Sequence, residues 1–215
     1  MKHRTLLYAA LCLLALFAAW TAAVLTVDVQ AVGPQGSAVG FAALNLWFHR
    51  LTGVHMALYT LTDWLSLLPL GIAAGFGGLG LAQWLRRRKL WKVDGSLLLL
   101  GGFYAAVLAA YAAFEVAAVN FRPVLIGGVL EPSYPSSTTV LVLCILPAAA
   151  LQLRRRMTSG VLRRAVIAAL CAFAALMVAL RLLSGVHWLS DIVGGILLSG
   201  GLTALYAYLE RFTKK

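Results

Sequence analysis

Three side chains capable of acid–base and anion chemistry lie in a short stretch between two long apolar runs. The stretch begins at Arg181, contains His187 and ends at Asp191. Such side chains are costly at membrane depth, and they usually mark a site or a pathway. A carboxylate can orient an imidazole and a guanidinium can hold an anion, so the three types are chemically complementary. The stretch therefore predicts a functional site at which these three residues act together.

The composition places this stretch in a membrane protein. Hydrophobic residues make up 62% of the 215 residues, and the mean hydropathy is +0.90. A soluble domain is close to half apolar, so the excess indicates insertion into a bilayer. The length fits one helical bundle, and we expect residues 1–215 to form a single integral membrane domain. The cysteines are odd in number and far apart, which predicts core packing and not disulfides: Cys12, Cys144 and Cys171.

Six apolar segments are long enough, or nearly long enough, to cross the hydrocarbon core as helices. They span about residues 6–27, 54–85, 95–119, 138–153, 165–183 and 191–209. The second contains Asp63, Pro69 and several glycines, so we expect it either to kink or to begin with an interfacial turn. The fourth is short and is a candidate for extension into the loop before it. The sequence therefore predicts an all-α polytopic bundle of six transmembrane helices.

The basic residues predict the orientation of this bundle. With the amino terminus inside, all but three of the 18 Lys and Arg residues fall in inner segments. These are Lys2, Arg4, Arg86, Arg87, Arg88, Lys89, Lys92, Arg154, Arg155, Arg156, Arg163, Arg164, Arg211, Lys214 and Lys215. The positive-inside rule then places both termini in the cytoplasm. Because the basic residues cluster at the ends of apolar runs, we expect their partner to be the bilayer and not a nucleic acid.

A short amphipathic helix is expected between the first two spans. Its apolar side comprises Phe41, Leu44, Trp47, Phe48 and Leu51. His49 and Arg50 lie elsewhere on the helix, and aromatic residues such as Trp47 suit the headgroup region of a bilayer. Two interpretations remain open: a brace on the membrane surface, or one wall of a route by which lipid reaches the site.

The end of the third span carries polar residues on the predicted outer side, where only Arg50, Arg122 and Arg181 are basic. Pro123 disfavours helical geometry at Arg122 and marks the exit of the span. If the helix persists to Arg122, Glu115 lies on the same side two turns earlier. Anion binding is the expected role of Arg122 and Arg181, since topology does not account for them.

The fourth span begins after Pro135, with the hydroxyl residues Ser136, Ser137 and Thr138. This pattern is typical of a helix N-terminus. The free N–H groups and the positive end of the helix dipole at such a terminus attract anions. A plain cap of a transmembrane helix is the alternative interpretation of this segment.

Taken in order, the three outer segments resemble the phosphatidic acid phosphatase type 2 family, which comprises membrane and soluble phosphatases. The family pattern is K-x6-R-P, then P-S-G-H, then S-R-x5-H-x3-D. Here Arg122-Pro123 matches the end of the first motif, and Pro135-Ser136 matches the start of the second. Arg181, His187 and Asp191 match the third motif at the expected spacing. The six-span layout is also similar to that of the membrane branch.

The resemblance implies a role for each of these residues. His187 is expected to attack phosphorus and form a phospho-histidine, with Asp191 orienting its ring. Arg122 and Arg181 are expected to hold the phosphoryl oxygens, helped by the start of the fourth span, which comprises Ser136, Ser137 and Thr138. Because the arginines supply positive charge, we expect neither a metal nor a cofactor. The implied substrate is a phosphorylated lipid at the outer membrane face.

Two positions depart from the family pattern, and they predict the kind of substrate. Glu115 stands where the family has lysine, and Thr138 stands where the family has the histidine that protonates the leaving group. General acid–base help is worth about 10²–10⁴-fold, and a threonine cannot supply it near neutral pH. A diphosphate expels a phosphate, which needs a proton less than an alkoxide does. We therefore expect a lipid diphosphate, such as undecaprenyl diphosphate, to be preferred over a monoester.

Other outer residues are candidates to assist the site or replace the missing acid. His49 and His55 lie near the start of the second span, Glu115 is a further candidate, and Tyr134 and Arg50 are auxiliary ones. The competing function is that of a family member without catalysis that binds, senses or moves a phosphorylated lipid. A solute transporter is a weaker alternative, because the polar residues lie at span ends and not at the midplane.

Overall fold

The computed structural model describes residues 2–213, and these residues form eight α-helices and no β-strand. In chain order the helices are α1 (Lys2–Thr26), α2 (Ala42–Thr52), α3 (Met56–Leu65), α4 (Leu67–Arg87), α5 (Gly95–Ala117), α6 (Ser137–Arg156), α7 (Gly160–Leu183) and α8 (Leu189–Glu210). Six helical segments are long and apolar enough to cross a membrane, and α3 and α4 together form one of them. The prediction of an all-α bundle with six spans is therefore confirmed.

The second span is interrupted at Ser66, where α3 ends and α4 begins. Pro69 has no N–H to donate to the carbonyl four residues earlier, and its ring would clash with that carbonyl, so an unbroken helix is disfavoured here. The Ser66 hydroxyl instead donates to the Asp63 carbonyl at 2.6 Å, which satisfies one of the carbonyls at the end of α3. The interruption lies within the span, near Pro69, where a kink was one of the two expectations.

The fourth and fifth spans are longer than the apolar runs indicate. The fourth, α6, begins at Ser137, one residue before the predicted start, and reaches the length of a full span by continuing through Arg156. The fifth, α7, starts at Gly160, because the Ser159 side chain accepts a hydrogen bond from the Leu162 N–H and caps the helix. Because the terminal turns of these helices contain polar residues, hydrophobicity alone does not show where the helices begin and end.

Helix α6 lies at the centre of the bundle, in contact with α4, α5, α7 and α8. Val142 and Leu146 of α6 pack with Met177 of α7 in one apolar cluster. Helix α1 lies along α8, and a side chain at Gly201 would overlap Leu14 of α1. Glycines on α8 therefore allow the close approach that transmembrane helices use in place of a hydrophobic driving force.

One end of the bundle, which we call the arginine end, contains Arg154, Arg155 and Arg156 at the end of α6. Arg155 forms an ion pair with Glu210 of α8 at 2.7 Å. Arg156 forms one with Asp94, the residue that caps α5, at 2.9 Å. The opposite end, the site end, contains the end of α7 and the starts of α6 and α8. The two sets of polar residues thus lie at opposite ends of the bundle.

The expected amphipathic helix is present as α2, and its apolar residues point outward. Leu44, Trp47 and Leu51 are exposed, whereas Asn45 is fully buried against the bundle. Phe41 precedes the helix in a left-handed conformation and stacks on Trp20 of α1, with ring centroids 4.9 Å apart. This arrangement suits a helix that lies at a lipid interface and uses its one buried polar residue for a contact within the protein.

The cysteines only partly follow the expectation of core packing. Cys144 is buried, but Cys12 and Cys171 are exposed on the surface of the bundle. All three are free thiols. In a membrane bundle a small apolar residue suits the lipid-facing surface as well as the core, so an apolar sequence context does not distinguish the two locations.

Candidate active site

His187 lies in the tight turn between α7 and α8, at the site end of the bundle. Gly185 in this turn has φ +69°, and a side chain there would overlap the Gly53 carbonyl, so only glycine fits. The turn brings His187 inward until just 3% of the residue is exposed. A short glycine-containing turn thus places a titratable ring inside the protein.

Asp191 lies behind the imidazole and is held in a fixed orientation. Its Oδ2 accepts a hydrogen bond from the Trp188 N–H at 3.0 Å, and its Oδ1 accepts one from Asn120 Nδ2 at 3.2 Å. The same Oδ2 faces His187 Nδ1 at 3.6 Å. Because two donors fix the carboxylate, it can orient the ring and favour a proton on Nδ1.

The other ring nitrogen of His187 faces an arginine. Nε2 lies 3.3 Å from Arg122 Nη1, and a guanidinium can only donate, so Nε2 is assigned as the acceptor. Burial, with a smaller contribution from the charge of Arg122, lowers the pKa of His187 to about 4 against the opposing effect of Asp191. The ring is therefore neutral near pH 7, with the lone pair of Nε2 directed at a cation.

Arg122 is positioned by an irregular loop and not by a helix. Helix α5 ends at Ala117, and Ala118 adopts a left-handed conformation with φ +44°. Arg122 then pairs with Glu131 across this loop: its backbone N–H donates to the Glu131 carbonyl at 3.0 Å, and its Nε lies 2.9 Å from Glu131 Oε2. The arginine is thereby fixed by the segment that precedes α6.

The condition under which Glu115 would share a helical face with Arg122 is not met, because α5 ends at Ala117. Glu115 lies one turn after Tyr111 on the same helix, close enough for the two side chains to interact. Glu131, which sequence reasoning did not single out for this role, is the carboxylate that pairs with Arg122.

Arg181 lies in the last turn of α7 and is almost fully buried. Its Nη1 donates to Asp63 Oδ1 at 2.8 Å and to Thr62 Oγ1 at 3.1 Å, which ties α7 to α3. Its guanidinium carbon lies 4.7 Å from the centre of the Tyr59 ring, and that of Arg122 lies 5.8 Å from the same centre. Tyr59 therefore contacts both arginines through cation–π interactions.

One donor of Arg181 is left without a partner. Its Nε is buried and makes no hydrogen bond with any of the residues that the structure describes. Buried donors are nearly always satisfied, so an orphan of this kind is a reason to expect a ligand. An anion at this point would satisfy it.

The start of α6 is only partly available for an anion. Ser136 is the N-cap, and its backbone N–H donates to the Asp191 carbonyl at 3.1 Å. Its hydroxyl accepts a hydrogen bond from Thr139 at 3.1 Å. Ser136 therefore joins α6 to α8, which corrects the expectation that its N–H is free. Ser137 and Thr138 occupy the first two helical positions, where N–H groups lack helical partners.

Tyr134, expected as an auxiliary residue, is buried in the core of the bundle. Its hydroxyl lies 2.7 Å from the Thr21 hydroxyl, and its ring packs against Phe17 and Phe114. Burial raises the pKa of Tyr134 to about 12. The apolar surroundings of the ring explain why this residue turns away from the polar loop in which the sequence places it.

The remaining auxiliary candidates lie around the site without touching the imidazole. His49 Nε2 lies 3.2 Å from the Gly185 carbonyl, so His49 contacts the turn that carries His187. His55 Nε2 lies 2.9 Å from the Thr52 carbonyl, and Arg50 is exposed at the end of α2. Within residues 2–213, no hydrogen bond or ion pair joins any of these three to His187. The same residues contain no group of three His, Cys, Asp or Glu side chains placed to hold a metal ion.

A buried polar network that sequence reasoning missed supports Asp191. Asn120 donates to Asp191 and accepts from the Gly40 N–H at 3.3 Å, and it lies 3.4 Å from the Ser190 hydroxyl. Asn45 of α2 donates to the same hydroxyl at 2.9 Å and accepts from the Ser190 N–H at 3.1 Å. These are the two asparagines of the chain. Because asparagine is so rare in this apolar sequence, the presence of these two residues could have indicated that they have a structural role.

Both the sequence and the fold are similar to those of known proteins. A family model described as the PAP2 superfamily matches residues 73–214. The fold is similar to the crystal structure of the first transmembrane PAP2 type phosphatidylglycerolphosphate phosphatase from Bacillus subtilis, with a TM-score of 0.64. The sequence identity is 17%, and the similarity covers 97% of this chain and 98% of that chain. No curated protein matches the sequence.

The family match begins within the second span, at Ala73, and covers all of the later spans. It includes the three polar segments of the site. It confirms the resemblance found in the motifs. The fold of the solved phosphatase extends the similarity to α1 and α2. This multi-pass membrane chain belongs to the PAP2 superfamily.

Proposed function

We propose that the protein is a lipid phosphatase that removes the terminal phosphate from a lipid diphosphate at the outer membrane face. The observation that carries the proposal is the position of the His187 ring. One ring nitrogen faces the Asp191 carboxylate at 3.6 Å, and the other faces Arg122 at 3.3 Å. Burial lowers the pKa of His187, which favours the neutral ring. An anionic phosphoryl group drawn to Arg122 would therefore lie beside a lone pair.

The reaction proceeds in two displacements. His187 Nε2 attacks the terminal phosphorus, an N–P bond forms, and the P–O bond to the lipid phosphate breaks with its electron pair leaving on oxygen. Asp191 stabilises the positive charge that develops on the ring. Water then attacks the phospho-histidine, which releases inorganic phosphate and restores the neutral imidazole. Positioning and charge stabilisation account for most of the catalysis in phosphoryl transfer.

The two arginines bind the phosphoryl oxygens. Both already contact an anion in the structure, since Arg122 pairs with Glu131 and Arg181 pairs with Asp63. Each carboxylate is partly exposed, with 40% of the Glu131 side chain and 44% of the Asp63 side chain accessible. Water-accessible carboxylates can move aside when a more highly charged phosphate arrives, and Arg181 Nε is free to add a further hydrogen bond.

A diphosphate fits the absence of a histidine at Thr138. Thr138 is buried at the second position of α6, where its hydroxyl cannot protonate a leaving group near neutral pH. A lipid phosphate leaves readily without that proton, whereas an alkoxide does not. Undecaprenyl diphosphate on the outer leaflet is the substrate that we propose.

Phosphate release from purified protein tests the proposal. The wild type is compared with His187→Ala and with His55→Ala, a matched change at an exposed histidine whose ring lies 2.9 Å from the Thr52 carbonyl. We expect release from undecaprenyl diphosphate by the wild type and by His55→Ala, and none by His187→Ala. If the wild type released phosphate faster from phosphatidic acid than from undecaprenyl diphosphate, the proposed substrate would be wrong. If it released no phosphate from any lipid phosphate, the proposed activity would be wrong.

The second candidate is a protein that binds, senses or moves a phosphorylated lipid without cleaving it. The retained arginines together with the changes at Glu115 and Thr138 favour this candidate. It predicts that the wild type binds undecaprenyl diphosphate without releasing phosphate, and that His187→Ala binds equally well. Turnover by the wild type excludes it.

A further inference from the structure

A second cluster of cations lies at the arginine end, far from His187. Arg154 at the end of α6 and Arg163 and Arg164 at the start of α7 line an open cavity of about 530 Å³. Ile167 and Ala168 complete its lining. The cavity therefore combines three guanidinium groups with an apolar wall.

Among the residues that the structure describes, none of the three arginines has an acidic partner. None of the seven Asp and Glu side chains of the chain forms an ion pair with them, although Arg155 and Arg156 beside them pair with Glu210 and Asp94. Arg163 and Arg164 reach only the backbone carbonyls of Met157 and Gly160, at 3.4 and 3.3 Å. Three like charges thus share one cavity, and residues 2–213 supply no counter-ion for them.

The helix dipole makes this arrangement less favourable still. Arg163 and Arg164 lie within the first five residues of α7, and the first turn contains no acidic residue. The N-terminus of a helix carries a partial positive charge, which stabilises anions and opposes cations. Both helix and side chains therefore attract an anion to the same point.

The apolar surroundings favour a lipid as the source of that anion. Ile167 and Ala168 lie one turn further along α7, which is a membrane-spanning segment. Val161 beside the arginines is 74% exposed, and Leu162 is also exposed. A lipid whose headgroup lies at the arginines would thus place its acyl chains along an apolar helix surface. A free inorganic anion could contact the arginines but would leave that apolar surface uncovered.

We propose that this cavity binds the phosphate of an anionic phospholipid, on the membrane side opposite to the His187 site. The three guanidinium groups contact the headgroup phosphate, and Ile167 and Ala168 contact the first part of the acyl chains. Basic pockets between transmembrane helices bind anionic headgroups in this way. The bound lipid would hold the end of α6 and the start of α7 together.

Lipid binding measured by native mass spectrometry tests the proposal with phosphatidylserine as the probe. This phosphodiester has no terminal phosphate for the His187 site to cleave. We expect the wild type to retain phosphatidylserine in preference to phosphatidylcholine with the same chains. Each of the single changes Arg154→Gln and Arg164→Gln is expected to weaken that binding about fivefold. Both side chains are exposed, so the fold does not depend on them.

The matched control changes three arginines at the same end of the bundle. The variant Arg86→Gln/Arg87→Gln/Arg88→Gln removes the same charge as Arg154→Gln/Arg163→Gln/Arg164→Gln, but from exposed positions at the end of α4. We expect the first triple variant to keep phosphatidylserine and the second to lose it. Equal loss in both would show a diffuse surface charge and overturn the site. Equal stabilisation of the wild type by inorganic phosphate and by phosphatidylserine in a thermal unfolding assay would overturn the lipid assignment.

Discussion

His187 and Arg122 are in contact through Nε2 and Nη1 at 3.3 Å. The two residues come from different loops, one after α7 and one after α5. Burial keeps the imidazole neutral, so the contact is a hydrogen bond from a cation to a lone pair. A phosphoryl group that replaces this contact would be bound by the cation and attacked by the lone pair.

Replacing Asp191 with Asn is expected to reduce the turnover number and leave the KM little changed. Asp191 touches the imidazole and not the proposed substrate, so it acts on the orientation and charge of the ring. By analogy with catalytic triads, in which loss of the carboxylate lowers kcat by about 10⁴-fold, we expect a loss of at least about 100-fold. Steady-state kinetics of Asp191→Asn and of Asp28→Asn, a control in an exposed loop, measure this effect. A change in KM alone would contradict the role.

The depressed pKa of His187 predicts a loss of stability in acid. Above pH 6.5 the ring is neutral in the folded and unfolded states, and it contributes no pH dependence. Between pH 6.5 and about 4 the unfolded chain takes up a proton that the folded protein does not, so the free energy of unfolding falls as the pH falls. Thermal unfolding in detergent at pH 7 and pH 5 measures the difference. His187→Gln should reduce it, and an unchanged difference would contradict the burial of the ring.

Removing the Glu131 carboxylate is expected to strengthen substrate binding. Glu131 holds Arg122 by an ion pair at 2.9 Å, and a substrate phosphate must compete with it. Glu131→Gln keeps the shape of the side chain and removes the competing charge, so we expect a lower KM for a lipid diphosphate. A higher KM would show that Glu131 is needed to place Arg122.

Helix α8 approaches the segment before α6 closely enough to exclude a side chain at Gly194. An added Cβ there would lie 2.6 Å from the Tyr134 ring, which Phe17 and Phe114 hold in place. Overpacking of this kind costs about 1–3 kcal/mol, so Gly194→Ala should lower the unfolding temperature. Gly75→Ala on α4 is the control, because no atom lies within 4 Å of its added Cβ. Equal unfolding temperatures for the two variants would contradict the packing described here.

What the sequence predicted well is what depends on neighbouring residues. The six spans follow from local hydrophobicity, and the close approach of His187 and Asp191 follows from a spacing of four residues at the start of a helix. The charged ends of the bundle follow from the same local pattern. The motif resemblance could be found for the same reason, since each of its segments is short.

What the sequence did not predict depends on contacts between distant segments. Asp63 pairs with Arg181, which lies 118 positions later in the chain. Nothing in the sequence around Asp63 indicates this pairing. Glu131 pairs with Arg122 across a loop that forms because α5 ends at Ala117. Such pairings depend on where helices end and how they pack, which hydrophobic periodicity does not specify.

Detection of the covalent intermediate is the most direct test of the proposed role of His187. Undecaprenyl diphosphate labelled in its terminal phosphate is mixed with the protein, the reaction is stopped in alkali, and the peptides are analysed. We predict label on the peptide that contains His187 in the wild type and in His49→Ala, and no label in His187→Ala. Turnover by the wild type without labelled peptide, or label that persists in His187→Ala, would contradict this account.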